Sequence, residues 1–165
     1  MKSVHFIRHA KSSWDQLTLS DHDRPLNERG FADAPKMAAY LHEKEPGLRP
    51  CILSSTAKRA WTTAEYFVEK FDVPAGSVIK SSNLYHCSIY DIEDELIAMD
   101  DFNDHIILFS HNPTLSEILG LVSNGEMFHL PTCGILACSV KGISKWSDFK
   151  LTDLKYNYHA FPKLI

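Results

Sequence analysis

The side chains most suited to catalysis or binding are those of Arg8 and His9, which directly follow a short apolar stretch at the start of the chain. A second arginine, Arg59, and a second histidine, His111, also come just after apolar stretches. A guanidinium group stays charged at neutral pH and can hold two phosphoryl oxygens at once. An imidazole can act as a nucleophile or as a proton donor. Together these residue types predict a site that binds a phosphoryl group and acts on it.

The elements that position these side chains are the strands and helices of an α/β fold. Short apolar runs predict strands, and they alternate with segments whose apolar residues recur at helical spacing. This alternation favours a three-layer α/β/α sandwich with a mostly parallel central sheet. The predicted strands cover residues 3–7, 51–53, 78–79, 106–109 and 135–140.

The predicted helices lie between the predicted strands. Their apolar faces comprise Phe31, Ala34, Ala38 and Leu41; Ala60, Ala64, Phe67, Val68 and Phe71; Ile89, Ile92, Leu96 and Met99; and, after Pro113, Leu115, Ile118, Leu119 and Val122. In parallel sheets the functional loops gather at the carboxyl ends of the strands. We therefore expect the two arginines and two histidines to meet at one edge of the sheet.

The C-terminal part of the chain departs from the alternation. Residues 135–140 and 146–151 predict two strands joined by a tight turn at Gly142, which would add an antiparallel edge to the sheet. We expect the tail, residues 156–165, to pack across the surface. Trp146 and the tail aromatics fit a core or an interface equally well, so the sequence leaves the oligomeric state open.

Length and composition predict one domain over residues 1–165. The chain has 44% hydrophobic residues and a net charge of -4, which argues against a nucleic acid or an anionic membrane as partner. The opening apolar stretch is too short for a signal peptide or a membrane span. Four scattered cysteines are expected to be reduced thiols that serve in packing: Cys51, Cys87, Cys133 and Cys138. The sequence thus predicts a cytoplasmic protein.

No metal and no cofactor is expected. His22 stands between Asp21 and Asp23, but adjacent loop residues do not converge easily on one ion. The acidic residues from Asp91 to Glu95 are typical of a solvated helix face. Trp14 and Trp61 flank the motif loops, and we expect them to pack beneath the site.

Three motifs resemble those of the histidine phosphatase superfamily. Arg8-His9-Ala10 is similar to its Arg-His-Gly signature, with alanine in place of glycine. Residues 55–64 resemble its second motif, and Ser110-His111-Asn112-Pro113 resembles its third. The short length and residues 8–12, 23–26 and 29–30 look most like the small SixA-type phosphohistidine phosphatases. The resemblance covers residues 3 to about 140 and implies an open phosphate pocket suited to a phosphorylated protein side chain.

The resemblance implies a mechanism without metal. His9 would attack phosphorus through an unprotonated ring nitrogen, while a backbone carbonyl fixes the tautomer, and the phosphohistidine formed would be hydrolysed by water. Arg8, Arg59 and His111 would bind the phosphoryl oxygens, and Ser12 would join them. A turn or capping role is the alternative for Ser12.

The chain departs from the superfamily at the general acid. Many relatives have a glutamate where this chain has His86, two residues after Leu84. Either the leaving group needs little protonation, as in a phosphoramidate, or another residue such as His86 supplies the proton. The alternatives to a protein phosphohistidine substrate are a small phosphate ester and a phosphate-binding module without turnover.

Overall fold

The central element of the fold is a six-stranded mixed sheet. The computed structural model describes residues 1–165, and its strands are ordered β3-β2-β4-β1-β5-β6 across the sheet. The contacts β3 to β2, β2 to β4 and β4 to β1 are parallel, whereas β5 and β6 are added antiparallel. The strands are β1 (Ser3–Arg8), β2 (Cys51–Ser55), β3 (Val78–Ser81), β4 (His105–Ser110), β5 (Ile135–Val140) and β6 (Leu154–Ala160).

Helices cover both faces of the sheet, as predicted. The helices are α1 (Glu28–Lys44), α2 (Lys58–Lys70), α3 (Ile89–Ile97) and α4 (Thr114–Val122). Alternate residues of β1 and β4 point to opposite faces, so Phe6 joins one apolar core and Ile7 the other. The first core includes residues of α3 and α4, and the second includes residues of α1 and α2. The predicted three-layer α/β/α sandwich is therefore confirmed.

One edge of the sheet collects the chain segments that could carry chemistry. The parallel strands β1, β2 and β4 all end there, and helices α2 and α4 begin close behind β2 and β4. Because β5 runs antiparallel to β1, the loop that precedes β5 arrives at the same edge. Four segments of the chain thus converge on one end of the sheet.

The prediction of the last strand was wrong in position. Residues 146–151 do not form a strand, since Trp146–Asp148 and Leu151–Asp153 are short 3-10 turns. Trp146 and Phe149 both bury their rings in the first core, whereas two residues that are three apart in a strand point to opposite faces of the sheet. The sixth strand is instead Leu154–Ala160, which lies mostly in the segment predicted to pack across the surface as a tail.

Trp146 belongs to the interior and not to an exposed interface. Its side chain is fully buried, and its indole N–H donates a hydrogen bond to the Asn103 carbonyl at 2.7 Å. Its backbone N–H donates to the Asp101 carboxylate at 2.6 Å. The Lys2 ammonium lies 4.8 Å from the ring centroid. These contacts stabilise the edge of the sheet at which β1 and β4 begin, opposite to the edge at which the loops converge.

Candidate active site

The structure brings the four predicted residues together. Arg8 is the last residue of β1, His9 and His111 directly follow β1 and β4, and Arg59 lies in the first turn of α2. The ring centroids of His9 and His111 are 5.1 Å apart. All four residues, with Ser12, line one cleft of about 430 Å³ at the loop edge of the sheet. Their catalytic and binding roles stay predictions, which the experiments below test.

His9 is held in one tautomer by its neighbours. The buried ring places Nδ1 at 2.7 Å from the Ala10 carbonyl oxygen, so Nδ1 carries the proton and donates it there. The Arg59 Nε–H donates to His9 Nε2 at 3.3 Å, which assigns a lone pair to Nε2. Burial holds the pKa of His9 well below its usual value, and the positive charges of Arg59 and Arg8 act in the same direction. The result is a neutral imidazole with an unprotonated Nε2.

Arg59 is fixed by a carboxylate that the sequence analysis did not identify. Its two terminal nitrogens donate to Asp21, one to the backbone oxygen at 2.6 Å and the other to Oδ2 at 3.1 Å. The Asp21 side chain also accepts hydrogen bonds from the Tyr85 hydroxyl at 2.7 Å and from Arg24 Nε at 3.1 Å. The Tyr85 hydrogen bond, followed by the Arg59 charge, holds the pKa of Asp21 well below its usual range. Asp21 therefore positions both arginines as a permanent anion.

Arg8 and His111 each have a nitrogen without a hydrogen-bond partner in the chain. Arg8 donates through Nη1 to the Leu130 carbonyl at 3.0 Å, while its buried Nε is unpaired. His111 Nε2 lies 2.9 Å from the Ser55 hydroxyl oxygen, while its buried Nδ1 is unpaired. Burial, and after it the charge of Arg59, lower the pKa of His111 to about 3. His111 is therefore neutral at pH 7 in the phosphate-free protein.

Thr63 connects the first motif to the second. Its hydroxyl oxygen accepts the Ala10 backbone N–H at 2.9 Å and donates to the Arg59 carbonyl at 2.7 Å. Ala10 and Thr63 are fully buried, so this hydrogen-bonded bridge is shielded from water. The bridge fixes the loop that carries His9 against the helix that carries Arg59.

The comparisons with known proteins agree with this geometry. A family model described as histidine phosphatase superfamily (branch 1) matches residues 4–98, more than half of the chain. The chain belongs to the histidine phosphatase superfamily. An uncharacterised Mycobacterium leprae protein is 29% identical over 157 residues, which are 88% of this chain and 92% of that protein. An uncharacterised chloroplastic Arabidopsis thaliana protein is 47% identical over 66 residues, 40% of this chain, and the match spans only 30% of that protein.

Two solved structures of proteins named SixA are similar to this chain. A protein from Agrobacterium tumefaciens described as "putative phosphohistidine phosphatase SixA" is 27% identical with a TM-score of 0.73, covering 84% of this chain and 90% of that one. The protein histidine phosphatase SixA complexed with tungstate is 21% identical with a TM-score of 0.78, and the match covers 98% of this chain and 97% of that one. The second likeness shows the fold alone. Superfamily membership, with these neighbours, supports phosphatase activity.

The loop after His9 completes this histidine phosphatase cleft. Ser12 is buried, lines the cleft and pairs through its backbone with Leu26, and its contact with the phosphate stays a prediction. The expectation for Trp14 was wrong, because its side chain is 67% exposed and lines the cleft. The centroid of its ring lies 3.5 Å from the guanidinium carbon of Arg24. Arg24 also lines the cleft, although the sequence did not identify it as a site residue. Trp61 belongs to α2, is half-buried and packs against the second core.

The position that carries a glutamate in many relatives is exposed here. The His86 side chain is 74% exposed, and its Nε2 lies 4.0 Å from Asp21 Oδ2. The residues that line the cleft include no aspartate and no glutamate. Asp21 lies nearby but already accepts hydrogen bonds from Tyr85, Arg24 and Arg59. No carboxyl group in this arrangement is free to act as a proton donor.

Asn112 holds a neighbouring loop and not its own helix start. Its Nδ2 donates to the Leu130 carbonyl at 3.0 Å, the same oxygen that binds Arg8. Helix α4 begins after Pro113 without any side-chain cap, so Asn112 does not cap this helix. Asn112 thus helps to fix the loop against which Arg8 rests.

Other candidate sites are simpler. All four cysteines are free thiols, and three are buried, whereas Cys87 is half-buried in the wall of the cleft. No group of three or more histidine, cysteine, aspartate or glutamate side chains is arranged to hold a metal ion. None of the helices is both long enough and apolar enough to cross a membrane.

Proposed function

We propose that this histidine phosphatase forms a covalent phosphohistidine intermediate on His9 and acts on phosphohistidine carried by another protein. The observation that carries the proposal is the orientation of His9. Its Nδ1–H is fixed on the Ala10 carbonyl, and its unprotonated Nε2 lies in the cleft beside Arg59. A neutral imidazole with a directed lone pair is the form that can attack phosphorus.

The first step transfers the phosphoryl group. The substrate ring first takes a proton from solvent on its other nitrogen. His9 Nε2 then forms a bond to phosphorus as the bond from phosphorus to the substrate nitrogen breaks, and the substrate ring departs as neutral imidazole. The Ala10 carbonyl stabilises the positive charge that the phosphorylated His9 ring gains. Arg8, Arg59 and the N–H of His111 would bind the phosphoryl oxygens. In the second step water attacks phosphorus, the bond to His9 breaks, and inorganic phosphate leaves.

The choice of leaving group follows from the polar groups of the cleft. An alkyl phosphate must have its leaving oxygen protonated, and a general acid typically contributes about 10²–10⁴-fold to such a step. The cleft offers no carboxyl group for this purpose, and His86, which lines the cleft at the position of the glutamate, has a side chain that is 74% exposed. A phosphohistidine ring nitrogen can be protonated before the bond breaks, so this substrate needs no such acid. The protein substrate and the cytoplasmic location stay predictions from the sequence.

Three measurements test the proposal. The protein with a chelator should release phosphate from an aryl phosphate, and His9→Ala should not. Brief mixing with phosphohistidine protein should leave acid-labile phosphate on His9, detectable after alkaline quenching and mass spectrometry. Rates on phosphohistidine protein should far exceed those on sugar phosphates. Equal release by wild type and His9→Ala would remove the catalytic role, and a preference for sugar phosphates would favour the small-ester alternative.

A further inference from the structure

An apolar groove lies on the outer face of α4, next to the cleft. It has a volume of about 510 Å³ and is lined by Ile89, Pro113, Ser116, Glu117, Gly120, Leu121 and Phe128. The two largest apolar side chains are well exposed, Leu121 at 57% and Phe128 at 75%. The buried side of α4 packs into the core through other residues, among them Leu115 and Ile118. Of the residues that line the groove, only Ile89 also packs against the core, so Leu121 and Phe128 form an apolar surface that the core does not use.

The groove is continuous with the phosphate cleft. Pro113 lines both, and two chain segments pass from one to the other. The first segment runs from Cys87 in the cleft to Ile89 in the groove, and the second runs from His111 in the cleft to Glu117 in the groove. A molecule that places a phosphoryl group beside His111 and extends along α4 must cover this apolar surface.

The charges of the two regions differ in sign. The cleft contains three arginines and Lys11 and no carboxylate, whereas Glu117 is the only ionisable side chain that lines the groove. The matching partner has a phosphoryl group at one end, apolar side chains beyond it, and a basic side chain opposite Glu117. A small phosphate ester supplies only the first of these features, while a protein segment supplies all three.

We propose that this groove, lined by Leu121, Phe128 and Glu117, docks the protein that carries the phosphorylated side chain. The partner contributes an apolar segment and a basic residue adjacent to its phosphorylated residue. This inference rests on the proposed function and adds to it a surface that selects the substrate.

Two synthetic phosphohistidine peptides of equal length provide the test. One has leucines within seven residues of the phosphohistidine and a lysine beside them, and the other has serines at the leucine positions. Free phosphohistidine serves as a third substrate. For the wild type, we expect kcat/KM to be about tenfold higher for the leucine peptide than for the serine peptide, since buried apolar anchors dominate such contacts.

Phe128→Asp and Leu121→Asp should remove this preference. Both variants should hydrolyse free phosphohistidine at the wild-type rate, because neither residue lines the cleft. Phe102→Asp is the matched control, since Phe102 is 81% exposed and precedes β4 at the opposite edge of the sheet. Glu117→Lys should lower kcat/KM for the lysine-containing peptide and raise it for a peptide with glutamate in that place. Thermal unfolding checks that each variant is folded.

The outcomes separate the two proposals. Equal kcat/KM for both peptides in a wild type that hydrolyses free phosphohistidine would overturn the docking groove alone. Failure to hydrolyse any of the three substrates would overturn the proposed function, and the docking proposal with it. A wild-type dimer that Phe128→Asp converts to monomer in sedimentation analysis would show that a second copy of the chain covers the groove, and would also overturn the proposal.

Discussion

At the scale of single residues, the two histidines of the cleft differ in the partners of their ring nitrogens. His9 donates a hydrogen bond from Nδ1–H to the Ala10 carbonyl, whereas His111 Nε2 faces the Ser55 hydroxyl and His111 Nδ1 is unpaired. Both rings are buried near arginines, and a buried cation near other cations is disfavoured. The two rings are therefore neutral in the phosphate-free protein, and a bound phosphoryl dianion changes the balance.

The first prediction concerns the protonation of His111. Its pKa of about 3 lies below the ordinary value, so the ring should stay neutral as the pH falls from 8 to about 4. Tungstate, a dianion that resembles phosphate, should raise this pKa because it offsets the charge of Arg59. Imidazole nitrogen shifts in an NMR titration, assigned with His111→Gln, measure both values. Ordinary titration of His111 between pH 6 and 7 without tungstate would contradict the prediction.

A second prediction concerns Asp21 as a positioning residue. Asp21→Asn has two effects, because the carboxylate both aligns Arg59 and Arg24 and places a negative charge close to the cleft. The substitution weakens the alignment and also removes a charge that repels phosphate. We expect kcat on an aryl phosphate to fall about tenfold, while KM stays the same or falls, because alignment serves the transition state and charge serves binding. Steady-state kinetics measure the split between kcat and KM.

Asp23→Asn is the matched control for Asp21→Asn. Asp23 is an exposed neighbour whose hydrogen bonds go to Ser20 and His22 and not to an arginine. Its replacement should leave both kcat and KM unchanged. An equal fall in kcat for the two variants would show that the loop, and not the Asp21 carboxylate, matters.

At the scale of elements, the start of α1 supports the loop that follows His9. Asn27 caps the helix by accepting the Gly30 N–H at 2.9 Å, and the Asn27 N–H donates to the Lys11 carbonyl at 2.9 Å. Gly30 leaves the space in which the Lys11 carbonyl lies, since a Cβ at Gly30 would stand 2.1 Å from that oxygen. The first turn of α1 and residues 11–12 are therefore packed backbone to backbone.

The third prediction follows from this close approach. Gly30→Ala should displace Lys11 and Ser12, lower the free energy of unfolding by about 1–3 kcal/mol as overpacking does, and reduce kcat/KM. Gly120→Ala is the control within a helix, because its Cβ would lie 3.6 Å from the Met127 carbonyl, an ordinary contact. That variant should gain up to ~1 kcal/mol from helix propensity. Urea unfolding and kinetics of both variants measure these effects, and a Gly30→Ala protein as stable and active as the wild type would refute the packing argument.

The sequence predicted the elements whose residues are uniformly buried. Strands β2 and β5 are buried throughout, so their apolar runs were visible, and the parallel topology then placed His9, Arg59 and His111 at one edge. Strand β6 alternates half-buried tyrosines with exposed polar residues, a weak pattern that concealed it. Asp21 was missed because its partners Arg59 and Tyr85 are 38 and 64 residues away, and no local spacing reports such a contact.

At the scale of the whole molecule, stability and function reside at opposite edges of the sheet. The loop edge carries Arg8, Arg24 and Arg59, whose charges make the cleft positive within a chain whose net charge is -4. The other edge is closed by Trp146 with Asn103, Asp101 and Lys2. Burying charged groups costs stability unless they are paired, and a well-packed core at the far edge can offset that cost.

Two tryptophan variants test this division. Trp146→Ala should lower the free energy of unfolding by about 3–5 kcal/mol, because it removes a large buried ring, yet leave kcat/KM unchanged where the protein is still folded. Trp14→Ala should lower the free energy of unfolding by no more than about 1 kcal/mol, since the side chain is exposed and its cation–π contact with Arg24 is worth no more than that. It should reduce kcat/KM about two- to fivefold, because Arg24 loses a cation–π contact worth ~0.5–1 kcal/mol. Urea unfolding measures the free energy of unfolding of both variants, and aryl phosphate kinetics measure their kcat/KM. A larger loss of stability for Trp14→Ala, or a loss of activity for folded Trp146→Ala, would show that the two edges are coupled.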